Sequence, residues 1–176
     1  MNKKVTFLIN SLAGGGAEGV CVNVANGFAE QGWQVDLVIL NLNNAVYRDR
    51  VSDKVNLVIL NINHARYAGV PLLKYIRKNK PNQILVFNYE LAVILVVLRG
   101  ILRFKTKIIA RNINTLSHKR QQDVGVWKKY VVKHLIDVFY CRVDHVINQC
   151  QAMREDLILL YPQLAEKSSV IYNPVA

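Results

Sequence analysis

A chain of 176 residues has room for one domain of ordinary size and not for two. With 52% hydrophobic residues it can bury a sizeable core, which excludes a disordered segment and a disulfide-stapled miniature. The 23 Lys and Arg against 12 Asp and Glu leave a formal charge of +11, so an anionic partner or surface is expected, with a merely solvated excess as the alternative.

Three cysteines, Cys21, Cys141 and Cys150, form no CxxC pair and suit a reduced, cytosolic protein without disulfides. The apolar stretch Val5 to Ile9 is too short for a signal peptide. Leu91 to Leu98, the longest apolar run, is closed by Arg99 and falls well short of the 18 or so residues that cross a bilayer.

Lys4 to Ile9 reads as a buried strand, and the loop Ser11-Leu12-Ala13-Gly14-Gly15-Gly16 leads from it into a helix. Ala17, Val20, Cys21, Val24, Ala25 and Phe28 give that helix an apolar stripe, and Gly32 caps it. Strands are predicted at Val35 to Leu40 and Leu57 to Ile62, then a helix from about Val70 with Pro71 in its first turn. Ile84 to Phe87 is a fourth strand, Glu90 to Phe104 a helix and Lys107 to Ala110 a fifth strand. After a polar stretch, a helix from Trp127 to about Cys141, a strand at His145 to Asn148, a helix at Ala152 to Tyr161 and a strand at Val170 to Tyr172 complete the chain. Strands alternating with helices predict an α/β fold: a doubly wound, mostly parallel sheet with helices on both faces.

Gly14, Gly16 and Gly19 satisfy G-x-G-x-x-G between a strand and a helix, where backbone N–H groups and the helix dipole can hold phosphate. A nicotinamide-dinucleotide site fits poorly. Four residues separate the strand from the first glycine, and the second strand ends Asn41-Leu42-Asn43 without an acidic residue for a ribose hydroxyl. A purely structural glycine turn is the remaining alternative.

The longer string fits better. Asn10-Ser11-Leu12, then Gly14-Gly15-Gly16-Ala17-Glu18, then Ala29-Glu30-Gln31-Gly32 before Val35-Asp36-Leu37-Val38 resembles the start of retaining GT-B glycosyltransferases of family 4. Phe87-Asn88-Tyr89-Glu90, Ile109-Ala110-Arg111-Asn112, Asp144-His145-Val146-Ile147 and Val170-Ile171-Tyr172-Asn173-Pro174-Val175 extend the resemblance. It implies a Rossmann-like N-terminal domain that binds acceptor, with a nucleotide-sugar donor held mainly by a second domain. The second domain's paired-Glu signature is absent here, so an isolated, inactive acceptor domain is expected. Gly19 stands where the family often has Arg or Lys.

The resemblance places Gly14, Gly15 and Gly16 near the donor diphosphate and Asn88, Tyr89, Glu90, Arg111 and Asn112 along the acceptor cleft. For Asn88 and Asn112 a capping or turn role is the alternative. His118, in the polar stretch, is a candidate base or acceptor contact, with plain surface as the other reading. No His, Cys, Asp or Glu pair has metal-ligand spacing, and the resemblance implies no metal or other cofactor.

Between Arg99 and Lys133 ten basic residues face one acidic, Asp123, while the rest of the chain carries thirteen against eleven. Arg99, Arg103, Lys105, Trp127, Lys128, Lys129 and Lys133 therefore form a candidate surface for anionic lipid, a solvated helical face being the alternative. No nucleic-acid motif accompanies the charge. Together these readings predict the acceptor half of an enzyme transferring sugar to a lipid-linked or polysaccharide acceptor, such as lipopolysaccharide, peripheral on the cytoplasmic membrane face. A stand-alone nucleotide- or lipid-binding module is the alternative.

Overall fold

The seven strands are short and nearly all apolar, and each lies beside its neighbour in parallel, so every connection must cross back over the sheet. The computed structural model describes residues 3–112 and 133–173. The strands are β1 (Lys4–Ile9), β2 (Gln34–Ile39), β3 (Val55–Ile59), β4 (Gln83–Val86), β5 (Lys107–Arg111), β6 (His145–Asn148) and β7 (Ser168–Val170). The helices are α1 (Gly16–Glu30), α2 (Gly69–Asn79), α3 (Tyr89–Leu102), α4 (Lys133–Phe139) and α5 (Gln151–Leu160). The sheet order is β3-β2-β1-β4-β5-β6-β7, the doubly wound arrangement the alternation predicts.

Side chains alternate between two cores, as the pleat requires. Leu8, Val38, Ile84, Val86, Ile108 and Val146 pack with Leu72 and Ile76 of α2, Leu91 and Leu95 of α3 and Leu157 of α5. Phe7, Ile9, Leu37 and Ile39 turn to the other face and meet Cys21, Val22, Ala25 and Ala29 of α1. The apolar run Leu91 to Leu98 is core: Leu91, Ala92, Val93, Leu95 and Val96 are buried. Gly32 ends α1 as expected. Its φ of +79° needs glycine, and the Gly32 and Trp33 N–H groups donate to the carbonyls of Ala29 and Phe28.

Two strands differ from the sequence reading by more than one residue. β3 stops at Ile59, because Asn61 takes a left-handed φ of +56°, although the Leu60 and Ile62 N–H groups still donate to Ile39 and Leu40. β7 runs two residues earlier than Val170 to Tyr172. Pairing with β6 sets Ser168 beside Val146 and Val170 beside Asn148, leaving Ile171 and Tyr172 exposed. Strand propensity favours Ile and Tyr, but register decided.

A polar ladder crosses the first core. Thr6, Asp36 and Asn56 are lateral neighbours in β1, β2 and β3, and Tyr75 of α2 drops its hydroxyl onto them. Tyr75 Oη donates to Asp36 Oδ2 at 2.5 Å and lies 2.9 Å from Thr6 Oγ1. Asn56 Nδ2 donates to Asp36 Oδ1 at 2.8 Å, and Lys4 Nζ lies 3.4 Å from Asp36 Oδ2. Each polar side chain of this ladder is thereby partnered, which is what keeps its burial tolerable.

Candidate functional site

The chain leaves β1 toward β2 and β3, then returns to β4 on the other side of β1, so crossovers run in opposite directions from the β1/β4 boundary. A crevice opens outside the carboxyl ends of strands at such a switch point, and there doubly wound proteins bind ligands. The segments that follow β1, β4 and β5 carry the glycine loop, Asn88 to Glu90, and Arg111 with Asn112.

Gly14 and Gly15 are exposed ahead of α1, and Gly16, also exposed, is its first residue. The three differ in why they are glycine. Gly14 has a φ of +102°, and a Cβ there would lie 3.4 Å from Val46. Gly15 has ordinary extended backbone, and a Cβ would meet only the movable carboxylate of Glu18. A Cβ on Gly16 would meet nothing within 4 Å. The fold thus needs glycine at 14, whereas Gly16 leaves open the start of a 15-residue helix whose cap makes no side-chain hydrogen bond.

Asn88 is the N-cap of α3. Its Oδ1 accepts from the N–H groups of Glu90 at 2.7 Å and Leu91 at 3.4 Å. Tyr89 Oη donates to Glu90 Oε1 at 3.3 Å, and both side chains are half-buried at the crevice. Asn112 is drawn inward. Its Nδ2 donates to Asn148 Oδ1 at 2.8 Å and its Oδ1 accepts from Tyr140 Oη at 2.8 Å, a chain that Asn148 continues to the Ser169 carbonyl. Asn112 therefore stiffens the ends of β5 and β6 through both of its amide atoms.

Arg111 is 6% exposed. Its guanidinium lies 5.8 Å from the centre of the Phe87 ring and donates through Nη2 to Asn173 Oδ1 at 2.6 Å. Nε is buried without a partner, and no described carboxylate pairs with this charge. Burial lowers its pKa, and its charge is felt at Cys21 on α1. The Cys21 thiol is pushed up by burial and then by Glu18, with Arg111 opposing. Asn10 Oδ1, just beyond β1, is the other buried side-chain atom without a partner among the described residues. Sequence reasoning used Asn10 only as part of a motif string and did not single out Asn148, Tyr140 or Asn173. An asparagine at a strand end gives no sign in sequence of which way its amide turns.

The basic segment is divided by the fold. Arg99 is spent internally: it pairs with Asp144 and donates to the carbonyls of Arg142 and Thr106. Arg103 and Lys105 are exposed, in the turn between α3 and β5 at the amino edge of the sheet, opposite the crevice. Lys105 joins Arg77 and Lys80 around a cleft of about 470 Å³ lined also by Ile76, Leu102 and Phe104. Lys133 begins α4. His118, Trp127, Lys128 and Lys129 lie outside the described residues. Among the described residues no three His, Cys, Asp or Glu converge as metal ligands would, and no helix is long and apolar enough to cross a membrane.

Residues 14–176 match the family model for Glycosyltransferase Family 4, and the chain belongs to that family. The fold is that of the N-terminal domain of its GT-B enzymes. The HepE protein of Anabaena, solved with UDP and glucose, is similar over 98% of this chain and 44% of its own, at 18% identity and a TM-score of 0.66. The lipopolysaccharide outer core galactosyltransferase WaaB is similar over 98% of this chain and 46% of its own, at 15% identity and a TM-score of 0.70. Sucrose-phosphate synthase of Thermosynechococcus elongatus is similar over 97% and 48%, at 12% identity and a TM-score of 0.68. This chain therefore spans about half the length of these structures. No curated protein matches it in sequence.

Proposed function

We propose that this chain is the acceptor-binding half of a retaining glycosyltransferase that moves a sugar from a nucleotide-sugar donor to a lipid-linked or polysaccharide acceptor at the cytoplasmic membrane face. The observation that carries the reading is the open glycine loop at the switch point, with a buried arginine across the same edge that no described carboxylate pairs. Family membership supports glycosyl transfer, and the UDP and glucose bound to HepE support a uridine-diphosphate sugar as donor. The N–H groups at the start of α1 and its dipole would face the donor diphosphate beside Gly15 and Gly16. Tyr89, Glu90 and Arg111 would line the acceptor side, with Asn88 and Asn112 holding the edge in shape. His118 is proposed as base or acceptor contact.

The larger share of donor contacts would come from the half of the enzyme that the structural relatives carry beyond the region matched here. Calorimetry with UDP-glucose should therefore show only weak, millimolar binding to this 176-residue chain. Micromolar affinity would favour the alternative, a stand-alone nucleotide-binding module.

Docking on an anionic membrane rests on the cationic amino edge and on the basic residues beyond Asn112. Arg103 and Lys105, with Arg77 and Lys80 beside them, are exposed cations at that edge. Each adds about 1 kcal/mol near an anionic surface. Changing Arg103 and Lys105 together to Glu should weaken cosedimentation with phosphatidylserine vesicles about tenfold or more, and raising salt should do the same. Unaltered sedimentation of that variant would remove the amino edge from the membrane contact.

A further inference from the structure

We propose that the cleft at the amino edge, between the carboxyl ends of α2 and α3, is a binding site for one anionic phospholipid: Arg77, Lys80 and Lys105 hold its phosphate, and the first carbons of its chains rest on Leu102 and Phe104. The inference rests on reading the amino edge as a membrane contact and goes further by giving that contact one site and one occupant.

The two turns that wall the cleft are tied to each other. Thr106 Oγ1 donates to the Pro81 carbonyl at 2.8 Å, and the Lys107 N–H donates to the Asn82 carbonyl at 2.9 Å. The cavity of about 470 Å³ is thus built by the fold, and its size is that of a small-molecule site. Ile76 is buried and Leu102 and Phe104 are half-buried, whereas Arg77, Lys80 and Lys105 are exposed, so cations rim an apolar interior. No carboxylate lines it. The complementary ligand has a negative head and a hydrocarbon body, since inorganic phosphate alone would leave the apolar interior uncovered. Ile101, next in the chain to Leu102, is 71% exposed and adds apolar surface at the same helix end.

The backbone singles out the same place. Among the described residues the non-glycine positions with positive φ are Asn44, Asn61, Lys80 and Arg103. Asparagine tolerates that conformation, but at the end of a helix glycine is the usual residue. Lys80, with φ +43°, ends α2, and Arg103, with φ +52°, ends α3. Left-handed strain is kept at both ends, each time under a long cation, which points to a use for the side chains. Helix dipoles offer a structural alternative, because cations suit carboxyl ends. Two such ends present roughly one negative charge together, against the four full charges of Arg77, Lys80, Arg103 and Lys105. Neither described ion pair involves these four residues, so most of their charge is left for a ligand.

Calorimetry on this chain compares dihexanoyl phosphatidate, kept below its micelle concentration, with inorganic phosphate and dihexanoyl phosphatidylcholine. Phosphatidate should bind one to one and about tenfold or more tighter than either, because phosphate lacks the chains and phosphatidylcholine the net charge. Lys80→Gly relieves the left-handed backbone, so it should melt no lower than the wild type while binding phosphatidate about tenfold more weakly. Lys105→Gln should weaken binding likewise. Lys78→Gln removes an equal charge from the same helix end outside the cleft and should bind nearly as the wild type does. Equal affinity for phosphate and phosphatidate, equal affinity for the two lipids, or equal weakening by Lys80→Gly and Lys78→Gln would overturn the site. Sedimentation with phosphatidylserine vesicles but no binding of the short lipid would overturn it while leaving the membrane reading intact. Short-lipid binding that meets these criteria, in a chain that does not sediment with vesicles, would support the site and count against the membrane reading.

Discussion

Tyr75→Phe is expected to destabilise the fold by about 1–3 kcal/mol, because it removes the donor to a buried carboxylate and strands the Thr6 hydroxyl at the same time. Asp36 is 6% exposed, so its charge survives only through its partners. Burial alone would raise its pKa. Hydrogen bonds from Tyr75 and Asn56 and the charge of Lys4 outweigh burial, and the carboxyl is held below its usual value. A depressed carboxylate pKa contributes stability that is complete above the unfolded value, about 3.9, and is lost as pH falls through the folded value. Urea titrations between pH 7 and pH 2 should therefore show a loss of stability on the acid side that shrinks in Tyr75→Phe and shrinks further in Asp36→Asn. Burial, then the bond to Asp36, raises the Tyr75 hydroxyl, so it stays protonated as donor throughout that window. Unchanged acid sensitivity in Asp36→Asn would show that the ladder carries no part of it.

Gly16→Val is expected to fold normally and to lose sugar transfer by roughly 100-fold or more, the scale seen when a preorganised donor is withdrawn from developing charge. The position opens α1, its backbone is not left-handed, and a new Cβ meets no atom within 4 Å. Exchanging Gly for Val in a helix changes stability by under about 1 kcal/mol. The same change at Gly14 would combine a φ of +102° with the Val46 side chain, so a loss of function there would not separate folding from binding. Gly15 lies between these cases, since only the Glu18 carboxylate need move.

The rhythm of short apolar strands and amphipathic helices made the doubly wound sheet legible, since period 2 and period 3.6 are properties of neighbours in sequence. So was the position of the glycine loop and of Asn88 to Glu90, which follow the first and fourth strands; the switch point itself depends on strand order, which the alternation does not give. Asn88 carried its capping role openly, standing just before a helix with Glu90 in the first turn. What stayed hidden depends on lateral register and on the turning of single side chains. Thr6, Asp36 and Asn56 lie in three separate strands, and nothing local says that they align. Arg99 counts as free surface charge in sequence, yet Asp144, 45 residues away, pairs with it. Arg111 and Arg103 are both arginines near the ends of elements, and burial alone distinguishes them.

The measurement closest to the central claim is sugar transfer by the complete gene product, assayed with labelled nucleotide sugars and a membrane-lipid acceptor fraction, in wild type and Gly16→Val side by side with their melting temperatures. The account predicts transfer by the wild type and loss of about 100-fold or more in the variant at an unchanged melting temperature, with nucleotide sugars binding only weakly to the 176-residue chain. Equal transfer rates in the two proteins would contradict the placement of the loop at the donor diphosphate. No transfer with any nucleotide sugar, together with micromolar nucleotide binding by this chain alone, would contradict the glycosyltransferase account as a whole.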